Sequence, residues 1–426
     1  MNKRRGSVWL TAAATALAAS LAMSTSSVAQ QREVRWSQWK GTEVGEKFMA
    51  ELKAAFEKDH PDITLVPVDA PFTGFHDRAI VQHQAGNLAD VLLVQVDWVA
   101  EFADLGMLEP LDDLIAKEPP EFFNNIASAF HQKWRGKQYY LPIESGAVAL
   151  FYNTDLFKAA GLSEPPKTWD EFAEMARKLT NPEKRQFAIT ATLQSEPPTN
   201  MTYDIYPLIL QAGGKLIDSE TNKAAFNSPE GVAAIEWYAG LINNDKVSVP
   251  GVLSNGEKEK RANFASGNVA MMFEGPWGIA IQRQLNPNLN YKIAPLPEGK
   301  TTGTMVRGSL NTVTTQAKDK DAAWTFVKWM SGPKGMALWS KGTGALPART
   351  DVMNEDWFKE KTEFAAFVTQ INRANAQSPF LVMPNAVQMN KIMTTEVQNV
   401  VQGKKTAKQA LDDAAAEWNK IFDAVK

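Results

Sequence analysis

The chain has 426 residues, of which 45 are basic and 48 acidic, with four His, thirteen Trp and no Cys. A net charge of −3 without a visible basic patch argues against a nucleic-acid partner. The missing Cys excludes thiol chemistry and disulfides, which a chain this long does not need for its core. The length suits two domains, or one domain in two lobes.

Lys3-Arg4-Arg5, the Ala-rich apolar run over 8–23 and the small-x-small Ser27-Val28-Ala29 read as a secretory signal peptide over residues 1–29. The apolar core is short for a membrane span, and nowhere else do about 20 consecutive residues come close to being all apolar. Arg4-Arg5 is followed by Gly6-Ser7 instead of apolar residues, a weak match to a twin-arginine signal. Loss of this peptide, with its three cations and no acid, takes the net charge from −3 to −6. With no Cys to carry a lipid, the expected product is a soluble periplasmic protein without a lipid anchor.

The mature chain opens with a strand over 33–38, the loop residues Trp39 and Lys40, and a helix over 44–58 with apolar residues at Val44, Phe48, Leu52, Ala55 and Phe56. A strand over 63–68, a helix over 75–85 closed by Gly86-Asn87 and a strand over 90–96 follow, with Asp97-Trp98 at its end. This β-α-β-α-β order is the signature of a parallel sheet covered by helices. Strands are expected at 136–142 and 148–152, then helices at 154–160 and from Thr168, where Thr168 and Glu171 suggest a capping box. A Pro-rich surface loop over 195–200, a helix over 203–212 and a helix over 229–242 capped by Ser228 come next. The segment 264–278 stands out: a helix end, a Gly-Asn turn, five apolar residues over 269–273, and Glu274-Gly275-Pro276-Trp277. Such a run suits a strand covered on both faces, and ligands of open α/β sheets bind outside strand carboxyl ends. Strands return near 291–297 and 313–315. A Trp-rich helix over 321–331 is interrupted at Gly332-Pro333, and helices fill 355–374, 385–401 and 406–425.

Few residues suggest chemistry. Glu144 and Glu274 follow predicted strands; paired carboxylates serve glycosidases, but they equally accept hydrogen bonds from sugar hydroxyls. His76 and His83 lie seven apart on one predicted helix face, which reads as a solvated face with no metal site. No G-x-S-x-G, Walker loop or dinucleotide fingerprint is present, so neither an enzyme nor a cofactor is expected. Trp39, Trp98 and Trp277 follow predicted strands, whereas Trp36, Trp169, Trp237, Trp324 and Trp329 fall inside elements and read as core. Strand-end indoles with strand-end Asp97, Glu144 and Glu274 are the mixture a saccharide needs: rings for its C–H faces, polar groups for its hydroxyls.

Several segments carry a family likeness: Gly136-Lys137-Gln138-Tyr139-Tyr140-Leu141-Pro142, the run 150–162, Thr168-Trp169-Asp170-Glu171-Phe172, Gly275-Pro276-Trp277, Gly344-Ala345-Leu346-Pro347-Ala348-Arg349 and the closing helix from Thr406. In this order they resemble the extracellular solute-binding proteins of bacterial ABC importers, in the group that includes maltose-binding protein. The resemblance implies an α/β fold of two lobes joined by crossing segments and closing on a ligand by hinge motion. It implies lobes of 30–142 with 296–317 and 143–295 with 318–426, with crossings near Pro142, 295–297 and 316–319. It implies a ligand site of Trp39, Lys40, Phe75, Asp97, Trp98, Glu144, Ser145, Tyr203, Glu274, Trp277, Arg307, Gly308, Ser309 and Arg349. Met393 stands where maltose-type members carry a stacking Trp, and Met201-Thr202 lead to Tyr203 without their acid, which argues against maltodextrin. The implied role is capture of a mono- or oligosaccharide by a monomer that docks on the permease subunits of an ABC importer. The alternatives are a polyol or glycerol-phosphate binder, with Arg307 and Arg349 on the phosphate, and a secreted carbohydrate-active enzyme.

Overall fold

The computed structural model describes residues 32–72, 74–195, 201–218, 220–373 and 376–425. The signal peptide expected at 1–29 and most of the loop 195–200 lie outside the described residues. Strands β1 (Arg32–Gln38), β2 (Ile63–Asp69) and β3 (Val91–Gln95) alternate with helices Glu46–Asp59 and Phe75–Gln84, as the periodicity predicts. The first helix starts at Glu46, two residues later than expected, because Gly45 takes φ +87° and separates it from a short turn of helix, Gly41–Val44. Met49, Leu52 and Phe56 form its buried stripe.

Further along lie β4 (Leu141–Pro142), β5 (Gly146–Ala147), β6 (Ala149–Asn153), β7 (Phe187–Ile189), the hairpin β8 (Ile217–Asp218) and β9 (Lys223–Ala224), β10 (Val269–Glu274), β11 (Tyr291–Ala294), β12 (Thr304–Arg307), β13 (Ser309–Val313) and β14 (Ala376–Gln377). They form two principal sheets, β2-β1-β3-β13-β4 and β11-β6-β10-β7, and a small sheet β14-β12-β5. In the first, β2, β1 and β3 are parallel and β13 runs against β3. In the second, β10 lies between β6 and β7, and Val269 to Met272 are buried. The run of five apolar residues is thus an inner strand, as its composition predicts.

The small sheet joins the other two. Over Leu141–Asn153 the chain passes from the first sheet (β4) through the small one (β5) to the second (β6), and β12 and β13 lead from the small sheet back to the first. The short strand β12 was not expected; a single turn of extended chain gives no periodic signal. Gly308, between β12 and β13, lets these crossings approach: a Cβ there would lie 2.3 Å from the carbonyl oxygen of Glu144.

The helices after β13 differ from the expected lobe assignment. Helix Lys320–Ser331 and helix Pro333–Thr343 pack on the first sheet, not the second. Trp36 of β1 meets Phe326 at 5.2 Å and Trp339 at 6.3 Å between ring centroids. Arg32 of β1 also holds Asp319 through two hydrogen bonds of 2.6 and 2.8 Å. The crossing expected at 316–319 is therefore a turn within one layer, closed by the Asp319 cap of the helix. The return to the second sheet comes later, where helix Ala365–Ile371 sets Phe367 against Phe151 of β6 and Gln370 donates to the Val148 carbonyl. The helix expected over 355–374 is broken into Asp356–Lys359 and Ala365–Ile371. Helices Ala386–Val401 and Ala407–Ala424 pack with the second sheet's helices, where Trp418 meets Phe226 at 4.8 Å. Met393 is fully buried there as core.

Asn153 caps helix Thr154–Ala159 by accepting from Asp155 and Leu156. Thr168 caps helix Trp169–Leu179, but the Glu171 carboxylate accepts from Lys167 N instead of closing the box on Thr168. Among the described residues no helix is long and apolar enough to cross a membrane.

Candidate functional site

Strands β1, β3 and β10 and the crossing strands end at one junction. On the first-sheet side, Trp39 follows β1, Phe72 follows β2, and Asp97-Trp98 follow β3. Trp39 packs edge-on against Trp98 at 5.5 Å, Phe75 at 5.1 Å and Phe72 at 5.3 Å, while Phe72 and Phe75 lie parallel to Trp98 at 5.9 and 6.1 Å. Trp39 and Phe75 are buried, so they support the cluster from beneath and present no face to a ligand. Phe72, 48% exposed, is the ring that faces outward. Sequence reasoning missed it, although an aromatic residue in the loop after β2 stands where strand-end residues were being sought.

Lys40 pairs with Glu144 at 3.1 Å, and Glu144 also accepts from Ser309 Oγ at 2.6 Å and Trp339 Nε1 at 2.9 Å. Burial opposes ionisation of this carboxyl, but Lys40 and the donors outweigh it and hold its pKa below the usual range. Ser145 donates to the Pro347 carbonyl at 2.6 Å, so its hydroxyl ties two crossing segments together.

Arg307 closes β12 between two rings, 4.5 Å from the centroid of Phe380 and 5.6 Å from that of Tyr203. Its Nη2 meets Asp97 Oδ2 at 3.4 Å. Asp97 is 4% and Arg307 7% exposed. Asp97 Oδ1 and Arg307 Nη1 are nevertheless without a hydrogen-bond partner among the described residues. Buried polar atoms normally find partners, and one left alone costs about 1–3 kcal/mol. Tyr203, at the start of helix Thr202–Gln211, lies 5.8 Å from Trp277, and burial raises its phenol well above the usual value.

Glu274 and Arg349 also take structural roles. Glu274 is fully buried: Arg261 Nε reaches it at 2.8 Å and Trp277 Nε1 at 2.7 Å, and Lys260 lies 3.6 Å away. Burial alone would raise its pKa, but Lys260, Arg261 and the hydrogen bonds hold it down to about 2. Its acceptors are spent within the protein. Arg349, 2% exposed, holds Asp351 with two bonds of 2.9 and 2.6 Å and donates to the Phe122 and Ser331 carbonyls. It is a structural staple beside the helix Thr350–Met353, and its charge is already matched. Trp277, half-buried, begins the helix Trp277–Leu285 instead of standing in a loop. Lys260, Arg261 and Phe380 were not singled out from the sequence, since ion pairing and ring contacts across distant segments leave no local pattern.

His76 bonds Asp77 at 2.8 Å and Glu101 at 3.1 Å. Burial favours its neutral form, but these two carboxylates raise its pKa above the usual value. No group of three or more His, Asp or Glu suited to a metal occurs among the described residues.

The sequence model of the bacterial extracellular solute-binding proteins matches residues 38–337. A maltotriose-binding protein of Pyrococcus abyssi is 25% identical over 78% of this chain and 69% of its own length. An sn-glycerol-3-phosphate-binding periplasmic protein of Escherichia coli is 26% identical over 96% of each chain. The crystal structure of an ABC transporter solute-binding protein from Thermotoga lettingae, bound with alpha-D-tagatose, superposes with a TM-score of 0.77 at 26% identity and covers 92% of this chain and 99% of its own.

Proposed function

Because this chain belongs to the bacterial extracellular solute-binding proteins, we propose that it captures a neutral sugar at the junction of its two principal sheets and hands it to an ABC importer. The observation that carries this is the pair Asp97 Oδ1 and Arg307 Nη1, a buried acceptor and a buried donor that no described residue satisfies. A hydroxyl group donates to the first and accepts from the second, and neighbouring hydroxyls on a sugar ring serve both. Trp277 and the outward ring of Phe72 supply aromatic surface for the C–H faces, with Trp98 buried behind Phe72. Lys40 and Glu144 complete the polar set.

Charge balance favours a neutral ligand. Lys40 faces Glu144, Arg307 faces Asp97 and Arg261 faces Glu274. A phosphate group binds best where cations exceed carboxylates. The E. coli relative keeps a glycerol phosphate as the second reading.

Binding without turnover is part of the proposal. A glycosidase needs one protonated carboxyl beside one ionised. Glu144 and Glu274 are both shifted toward the ionised form. The small sheet β14-β12-β5 serves as the hinge about which the lobes move, and the protein acts in the periplasm as a monomer.

The test is intrinsic Trp fluorescence of the mature protein, titrated with mono-, di- and trisaccharides, polyols and sn-glycerol 3-phosphate. A saturable response to a sugar, weakened about tenfold or more in Asp97→Asn as expected for loss of a charged hydrogen bond, supports the proposal. A response to the phosphate compound alone transfers the site to the second reading. Sugar hydrolysis during the titration overturns binding without turnover.

A further inference from the structure

A cluster of buried charges in the second lobe surrounds Glu274. Glu274 Oε2 meets Arg261 Nε at 2.8 Å and Lys260 Nζ at 3.6 Å, and Oε1 accepts from Gly275 N at 3.0 Å and Trp277 Nε1 at 2.7 Å. Arg261 is backed by Glu257 at 2.7 Å. Lys260, fully buried, donates to the Phe273 carbonyl at 2.7 Å and lies 5.3 Å from the Tyr203 ring. Burying two cations and a carboxylate gains little stability over apolar residues of the same size. Such a cluster does, however, hold one geometry where an apolar core tolerates several. What it holds is the indole of Trp277.

That indole is gripped at both edges. Its Nε1 edge is bound to Glu274, and its opposite edge abuts the crossing strand β5: a Cβ on Gly146 would lie 2.8 Å from Trp277 Cζ3. Tyr203 stands 5.8 Å away at an interplanar angle of 57°.

We propose that Glu274 is a positioning residue: backed by Lys260 and Arg261, it sets the plane of the Trp277 indole against β5. The aromatic platform of the second lobe is then preset before any ligand arrives, and a preset ring loses less freedom on binding. The use of the platform rests on the sugar-binding reading, but the positioning does not.

The experiment is therefore run without ligand. Mature protein carrying 15N-labelled indoles is examined by NMR, with the Trp277 signal identified by its loss in Trp277→Phe. In Glu274→Gln the single amide oxygen cannot serve Trp277, Gly275 and Arg261 together. The Trp277 indole signal should move, and its exchange with water should quicken about tenfold or more, while the Trp169 and Trp237 signals of the same lobe stay in place. If Glu274→Gln does not fold, Arg261→Met carries the test, because Lys260 still faces the carboxylate; there the Trp277 signal should move by a smaller amount. An unchanged Trp277 signal in the folded variant overturns the proposal. So does a general shift of all second-lobe indoles, which would mark Glu274 as merely structural. Failure of every sugar in the fluorescence titration would remove the ligand reading and leave this result standing.

Discussion

The two principal sheets bring aromatic rings to the same junction by different means. On the first-sheet side Trp39, Phe75 and Trp98 hold one another by packing, ring on ring, with only Phe72 left outward. On the second-sheet side Trp277 is held by a hydrogen bond to a buried carboxylate, which in turn is held by two cations. Packing is spread over many small contacts and is lost gradually. An ion cluster is concentrated, and removal of one member exposes the others to an apolar interior.

Variants on the two sides separate these regimes. The largest effects are expected for Trp39→Ala and Glu274→Ala. The first removes a fully buried ring and should cost about 3–5 kcal/mol in urea unfolding. The second leaves buried Lys260 without its paired carboxylate and Arg261 with Glu257 alone, and should cost about as much. The two differ in rescue: replacing Lys260 and Arg261 by Met alongside Glu274→Leu should restore most of the loss, whereas no second change restores Trp39. A triple variant no more stable than Glu274→Ala would show that the cluster contributes through packing alone.

Acid should also tell the two sides apart. The Glu274 carboxyl is shifted from 4.5 to about 2 in the folded protein. Its contribution is present above the unfolded value and lost as pH falls from about 4.5 toward 2. Asp319, lowered from 3.8 to about 2 mainly by its hydrogen bond with Arg32, behaves in the same sense. Stability measured by urea titration from pH 7 to 3 should therefore fall at the acid end. Glu274→Gln should flatten that fall and Trp39→Phe should not; parallel curves for both would break the comparison.

Trp277→Ala, which leaves the ion cluster intact, should weaken binding of the responding sugar by about tenfold, the worth of one aromatic contact, with a smaller change in stability than Trp39→Ala. Phe72→Ala should be smallest, within about 0.5 kcal/mol in unfolding because about half of the ring is exposed. A loss as large as that of Trp39→Ala would place Phe72 in the core after all.

Much of this molecule is legible in order along the chain. Leu52 and Phe56 of the helix after β1 and the β-α-β-α-β opening follow from spacing, because a helix or strand must bury one face at a fixed period, and the inner strand over Val269–Glu274 follows from its unbroken apolar run. The caps at Thr168 and Ser228 follow from single residues. The candidate site is legible in part. Asp97, Trp98, Glu144, Tyr203, Trp277 and Arg307 gather at the junction because each sits at or near the end of an element, where side chains leave the layer. Phe72, in the loop after β2, obeys the same rule, whereas Phe380 reaches the site only through its contact with Arg307, which no local pattern records.

The sequence by itself determined the elements, their apolar faces and the residues at their ends, since these depend on neighbours a few positions away. Only the tertiary structure decided which layer the helices Lys320–Ser331 and Pro333–Thr343 cover, because an apolar face records that something is buried and not against what. It also decided that Glu274 answers to Lys260, Arg261 and Trp277, and Arg349 to Asp351 and two carbonyls. A charged side chain looks the same in sequence whether it meets a ligand or a partner within the fold, and the difference lies in the distances of its neighbours in space.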